Sequence, residues 1–486
     1  MKYCLRAAIL ITALMVFFLP TKAQPTASKN YVLSTVVKQA GIFNDASLST
    51  VPVSSTGKAM SISYVDGLGR PFQSIVVKGS ATQKDIVAPV EYDVLGREIK
   101  KYLPYVDMTS TTYGSLKIDW PTKQPAFYNG QLAGVQTDAM PHAQTVLEPS
   151  PLNRPLAQGA AGTVWQPNMA DAYDVTKKTI KIKYETNLAT DNVVLWNVAN
   201  TSANFDVGQI TRAGYYADGL LMVKHTYDEH GNEIKEYTDK QHQVILKRIQ
   251  DNIGWAETYY IYDDFGRLRA VVQPEGVAAL PATLNYTFAN NWMFLYRYDE
   301  RGRMVMKKVP GADSVAMVYD QWDRLALTQD GVQRAKTNKE WLFTKYDYLN
   351  RPIITGIYVN SSAHNTIRSL ATASVVRFEN ISTSATEGYS LNLSFPTSYQ
   401  QLLTLMHYDT YDNLPSWKSS YPFTAENGNT TFNSYVTGLL VASQTKVIGT
   451  STWLRTITFY DEEYRPIQVY GDNIKGGKDR VTNQML

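Results

Sequence analysis

The chain has 486 residues, 47 Lys and Arg against 44 Asp and Glu, and a single cysteine, Cys4. One thiol excludes a disulfide framework or a thiolate metal site, and so even a charge balance offers no basic face to nucleic acid or an anionic membrane. The length suits one large or two ordinary domains, and 33 tyrosines fit many short strands, because the ring packs on a half-buried sheet face while the hydroxyl meets water.

At the amino end, Lys2 and Arg6 precede an uncharged run from Ala7 to Leu19, followed by Pro20-Thr21-Lys22-Ala23. This order of charge, apolar run and small residue predicts a signal peptide over residues 1–23, cleaved after Ala23. The run is about 13 residues, short of the roughly 18 to 20 that span a bilayer. Cys4 precedes it, so no lipidated cysteine is expected. Removing residues 1–23 leaves 44 basic and 44 acidic residues and a net charge of 0. The sequence thus predicts an exported protein, extracellular, on the cell surface or periplasmic, with no integral membrane segment after processing.

Residues 24 to about 60 read as a polar, Ser/Thr-rich lead-in. A short pattern then recurs: an aromatic residue, Asp, two variable residues, a Gly-like residue, Arg. Its clearest copies are Tyr92 to Arg97, Tyr262 to Arg267 and Tyr298 to Arg303. Others run Val65 to Arg70, Tyr227 to Asn232, Thr238 to Gln243, Tyr319 to Arg324, Tyr346 to Arg351, Tyr408 to Asn413 and Tyr460 to Arg465, with a weaker one from Pro149 to Arg154. Alternating residues lead in and out, which predicts β-hairpins. Asp opens each turn by accepting from backbone amides, and two right-handed residues follow. The next residue must take positive φ, as in a loop closed by a bulge. That position holds Gly69, Gly96, Asn153, Gly231, His242, Gly266, Gly302, Asp323, Asn350, Asp412 and Tyr464. All but Tyr464 are glycine or types that visit left-handed space more readily. The reading predicts strand at Tyr92, Tyr262 and Tyr298, and an all-β fold of repeated hairpins. Copies are nearly absent from 109 to 205, where longer loops or irregular strands are expected, and 361–400, rich in Ser, Thr and Asn, reads as a second insertion. The domains expected are 24–205 and 206–486.

These copies resemble the YD repeats of RHS proteins over most of the chain from Tyr64 onward. Asp66-Gly67-Leu68-Gly69-Arg70-Pro71 and Glu148-Pro149-Ser150-Pro151-Leu152-Asn153-Arg154, followed by Gln158-Gly159-Ala160 and Trp165-Gln166, look like the amino-terminal domain of Bacteroidetes RHS-family proteins. The resemblance implies hairpins wound into a spiral β-shell, or an extended sheet, which in relatives encloses a toxic cargo. Full-length relatives end in a core with an Asp-Pro motif and self-cleaving aspartates, followed by a variable toxin. This chain contains no Asp-Pro dipeptide, so neither core nor toxin is carried over to any residue.

The recurring aspartates, among them Asp93, Asp263, Asp299 and Asp347, recur one per turn with the same neighbours, whereas catalysis needs unlike groups converging on one pocket. Arg70, Arg97, Arg267, Arg303, Arg324, Arg351 and Arg465 are expected to cover the turns, pairing with Asp or stacking on tyrosine. Exposed pairs of this kind contribute about 0 to 1 kcal/mol. His225 and His230 flank Asp228 and Glu229, but their spacing does not match two metal-binding histidines on a helix. No GxSxG elbow or P-loop is present. The sequence therefore nominates no catalytic, cofactor-binding or metal residue, and reads as a non-enzymatic scaffold whose partner is a protein, the remaining shell or its cargo. A rival reading is a surface module for glycan or protein, with Trp292, Trp322 and Trp341 as exposed stacking rings. A glycosidase would need two carboxylates facing across a cleft at roughly 5 to 9.5 Å, and no pair is nominated. At the carboxy end, Val481 to Leu486 reads as the first strand of an unfinished hairpin, expected to fray or to leave an open sheet edge.

Overall fold

Each five-residue turn reverses the chain and commits the flanking segments to antiparallel pairing, so a row of such turns produces a meandering sheet. The computed structural model describes residues 25–38, 45–54, 56–130, 134–199, 209–426 and 428–483. The expected leader 1–23, the boundary near 206 and residues 484–486 lie outside them. Strand accounts for 40% of the chain and helix for 12%, which makes the protein nearly all-β and built of repeated hairpins.

Two compact units are present: residues 1–184 with 224–233, and residues 185–223 with 234–486. In the first, Asn30–Val37, Lys58–Val65, Pro71–Val76 and Ile86–Glu91 pair in sequence, each antiparallel to the next. Ile86–Glu91 then divides its pairing, meeting Tyr105–Val106 at one end and Lys100–Tyr102 at the other. Lys100–Tyr102 continues through His142–Leu147 and Pro155–Gly159 to Ile180–Thr186. Ile62, Tyr64, Ile75, Val87 and Tyr105 form the buried core. The helix Trp120–Asn129 is fixed by buried Gln124, whose Nε2 donates to the carbonyls of Leu103 and Pro141 at 3.2 and 2.8 Å.

In the second unit, every strand from Glu233–Thr238 to Lys478–Thr482 pairs antiparallel with the next. A separate ribbon joins Val194–Val198 to Ile210–Tyr215. Three apolar clusters lie along this unit, centred on residues such as Leu246 and Met293, Phe343 and Leu405, and Val441 and Ile457.

Four expectations need correction. The lead-in is not merely polar: Asn30–Val37 forms a full strand, because Tyr31, Leu33 and their neighbours register against Tyr64 and Ile62 of the first repeat. Tyr92 lies one residue beyond Ile86–Glu91 rather than on it; its ring is taken by Arg70 and its hydroxyl by Pro71, as described below. The 361–400 segment joins two paired strands, but carries the helix His364–Ala373. The carboxy end also departs from expectation: Val481 does not open a hairpin but lies in Lys478–Thr482, the returning strand that pairs with Pro466–Asp472. Glu426 and Asn429 of another loop bond Arg480 and the Asn483 carbonyl, at 2.8 Å each.

Candidate functional site

The repeated turn is the chemical feature of this molecule. At Asp299, the backbone N–H donates to the Arg303 carbonyl at 2.9 Å and the Gly302 N–H donates back to the Asp299 carbonyl at 3.0 Å. Asp299 Oδ1 accepts from the N–H groups of Arg301 and Arg303, at 3.0 and 2.9 Å, while Oδ2 takes the Arg303 guanidinium. A register shift between Arg297 and Tyr298 marks the bulge. Asp suits this position because its short side chain reaches two amides while its second oxygen stays free for the arginine. The same pattern recurs at Asp66, Asp93, Asp263, Asp320, Asp347 and Asp461.

Positive φ appears where the turn demands it: Gly69, Gly96, Asn153, Gly231, His242, Gly266, Gly302, Asp323, Asn350 and even Tyr464, at +63°. Asp412 is the exception and corrects the sequence reading. There the left-handed residue is Asp409, at +74°. Its carboxylate is consumed by Arg351, at 2.8 and 2.6 Å, and by the Gly438 N–H at 2.7 Å. It has no oxygen left to organise its own turn, and the strand Gln401–Thr410 runs on against Tyr435–Lys446.

Consecutive turns are joined by their other two signature residues. Arg70 lies 4.5 Å from the Tyr92 ring centre, Arg303 4.8 Å from Tyr319, Arg324 4.6 Å from Tyr346 and Arg351 4.3 Å from Tyr408. In each case the tyrosine hydroxyl donates to the carbonyl of the residue following that arginine, namely Pro71, Met304, Leu325 and Pro352. The guanidinium also reaches the next turn, from Arg97 to Asn153 at 2.6 Å and from Arg324 to Asn350 at 3.0 Å. Tyr, Asp and Arg therefore form a ladder, in which Arg70, Arg267, Arg303, Arg324 and Arg351 are each bound by their own aspartate and lie over the following tyrosine.

The expectation of exposed pairs holds only for part of this ladder. Arg465 keeps 46% of its side chain exposed and Asp66 27%, whereas Asp263 keeps 0% and Asp299 1%. Burial works to raise the Asp263 and Asp299 carboxyls, but hydrogen bonds and charge from Arg267 and Arg303 outweigh it and hold both below the usual carboxylate range. The stray carboxylate–histidine pattern also resolves. His225 Nδ1 lies 2.6 Å from Glu233 Oε1, and the His230 N–H donates to the Asp228 turn carboxylate. Trp292, Trp322 and Trp341 form no exposed strip. Trp341 is 2% exposed and donates to the Asn360 carbonyl, Trp292 packs on a core cluster and Trp322 lies against Arg324.

Sequence reasoning missed two turns of the same build. Ser80 replaces Asp with its hydroxyl accepting from Lys84 N–H, and Gln83 takes φ +55°. Asn473 accepts from Lys475 and Gly477, and Gly476 takes φ +85°. Allowing Ser or Asn at the first position would have found both. It also missed a buried ion pair. Lys345, 1% exposed, donates to Glu379 at 2.8 Å and to the carbonyls of Leu391 and Ser394. Glu379 accepts in turn from Ser390, Leu393 and Ser394, so the 361–400 segment is pinned to the strand Glu340–Tyr346. Among the described residues, no three His, Cys, Asp or Glu side chains gather as a metal site, and no helix is long and apolar enough to cross a membrane.

Residues 39–179 match a family model described as a domain of unknown function, DUF6443. No curated protein matches the chain. Among solved structures, the chain is similar to a TcdB2-TccC3-Cdc42 chain, with 12% identity, TM-score 0.39 and 87% of this chain covered. It is also similar to a TcdB2-TccC3 chain, with 13% identity, TM-score 0.38 and 87% covered. A chain of the Photorhabdus luminescens Tc holotoxin pore with mutant TccC3 gives 12% identity, TM-score 0.39 and 89% covered. This chain spans 19% of the length of each.

Proposed function

We propose that the chain is an exported, non-enzymatic wall segment of an RHS-type system, and that its hairpins enclose or present a protein cargo encoded elsewhere. The observation that supports this reading is how the repeats use their polar groups. Aspartate, arginine and tyrosine hydroxyl are bound to their own turn or to the next one, a pattern suited to holding neighbouring hairpins in line and poorly suited to turning over a substrate. The partner is a protein: the remaining shell or the cargo. Processing after Ala23 delivers the segment outside the cytoplasm, and amino-terminal sequencing of the exported product is expected to begin at Gln24. The functional test is co-expression with the product of the adjoining reading frame, followed by protease challenge of the purified complex. Cargo digested only after this chain is unfolded supports the reading. Cargo digested equally fast with and without the chain overturns it.

A further inference from the structure

Among the described residues of the second unit, a cavity of about 1020 Å³ opens between the Asp299 turn and the helix His364–Ala373. Its walls carry Arg267, Arg297, Arg303 and Arg368, with Asp299 and Ser369 beside them. The charge is not balanced within the cavity. Asp299 is already bound by Arg303 at 2.7 Å and shared with Arg368 at 3.4 Å, and Arg267 belongs to Asp263 at 2.8 Å. Glu300 stands exposed at the rim and forms no ion pair among the described residues. Arg297, half-buried on the strand Met293–Tyr298, has no carboxylate partner among the described residues. Its electrostatic neighbours are cations, Arg368 and Arg269, and burial together with their repulsion lowers its proton affinity. A half-buried guanidinium among like charges is destabilising unless an anion joins it. Guanidinium forks match planar carboxylate and tetrahedral phosphate equally well.

We infer that this cavity is a binding site for a small oxyanion, phosphate or carboxylate, with Arg297 as its principal ligand and Arg368 on the facing helix as the second. The inference does not depend on the shell reading. It makes two separable demands on Arg297: this residue provides the ligand contact, and its charge is a burden when the site is empty. The test is calorimetric and thermal titration of the purified chain with sodium phosphate and, separately, sodium citrate, at ionic strength held constant with sodium chloride. At least one of the two is expected to bind and to raise the melting temperature. Arg297→Gln is expected to weaken that binding at least about tenfold, equivalent to about 1.4 kcal/mol. Without added anion it is expected to melt no lower than the parent, whereas loss of a purely structural arginine lowers the melting point. Lys475→Gln, an exposed change elsewhere, is expected to bind as the parent does. A response to phosphate alone assigns a phosphoryl ligand, and a response to citrate alone assigns a carboxylate. If neither binds, or if Arg297→Gln binds as tightly as the parent, the site is refuted.

Discussion

The repeated turns and the 361–400 segment both place charged groups inside a sheet protein, by opposite routes. In a turn such as Asp299–Arg303, donor and acceptor lie within five residues, and the same arrangement is made again at each reversal. The 361–400 segment brings one fully buried ion pair to the sheet, Lys345 with Glu379, which are 34 residues apart and 1% and 0% exposed. The first route spreads the cost of burying charge over many local, nearly self-sufficient units. The second concentrates it in one pair that has no local substitute.

The sharpest way to break this comparison is to remove one partner of the single pair. Glu379→Leu strands the Lys345 ammonium beside backbone carbonyls alone, and is expected to cost about 3–5 kcal/mol. The double change Lys345→Met with Glu379→Leu is expected to recover much of that loss, since a well-packed apolar pair replaces two desolvated charges. Chemical denaturation of both variants checks this. A single change costing less than 1 kcal/mol would show that the buried charge of this pair carries little of the segment's attachment.

Within the ladder, the cost is expected to follow burial. Asp299→Ala removes the oxygen that accepts from two backbone amides and leaves Arg303 and Arg368 facing each other, for a loss of about 2–4 kcal/mol. Asp461→Ala deletes the same turn bonds where Arg465 is nearly half exposed, for about 1 kcal/mol or less. Equal losses at the two turns would erase the distinction between buried and exposed rungs.

How much was legible in the sequence follows from the same contrast. A five-residue turn writes its demands into adjacent residues: an acceptor first, a left-handed residue fourth, a cation fifth. Even Tyr464 takes positive φ when the rest of the unit is intact. The reading failed where a turn residue was claimed from outside, as Asp409 is by Arg351. The pinning of Glu379 was invisible for the same reason, since Lys345 in an alternating strand looks like any surface lysine until residues 379–394 fold over it. The cavity at Arg297 needed the helix at 364–373 to close it, and its arginine carries no local mark that separates it from the turn arginines.

A backbone test sharpens the local half of the comparison. Gly266→Val puts a β-branched residue at φ +72° and is expected to cost about 1–3 kcal/mol. The Cβ itself would meet only the far end of the Gln243 side chain at 2.7 Å, so the loss comes from the backbone and not from a clash with the core. Phe265→Ser, one residue earlier and 75% exposed, is expected to change stability by about 0.5 kcal/mol or less. Matching melting temperatures for the two would mean that the fourth position is not conformationally restricted.

The smallest effect tests whether the 361–400 segment shields what lies beneath it. His407 is 4% exposed, with Tyr389 of that segment stacked on it at 5.1 Å, Trp417 at its edge and Gln444 Nε2 3.4 Å from its Nε2. Burial pushes its imidazole from 6.5 down to about 4. With the folded value below the unfolded one, the unfolded chain binds more protons as pH falls through 6.5, so stability is full above about pH 7 and declines toward pH 4. Between pH 7.5 and 5.5 the expected loss is about 1 kcal/mol. This window lies above that of the Glu379 and Asp299 carboxyls, whose lowered values make their losses appear only in stronger acid. Denaturation midpoints across pH 7.5 to 5.5 are expected to fall for the parent chain and to fall less steeply in His407→Phe, where His142 and His364, both also lowered chiefly by burial, keep part of the slope. Gly388→Ala adds a methyl 2.8 Å from the imidazole at a backbone φ of +81°. By displacing the cover it is expected to let His407 protonate in the folded state and so also to make the profile shallower, whereas an undiminished slope would show that the shielding of His407 does not come from this segment.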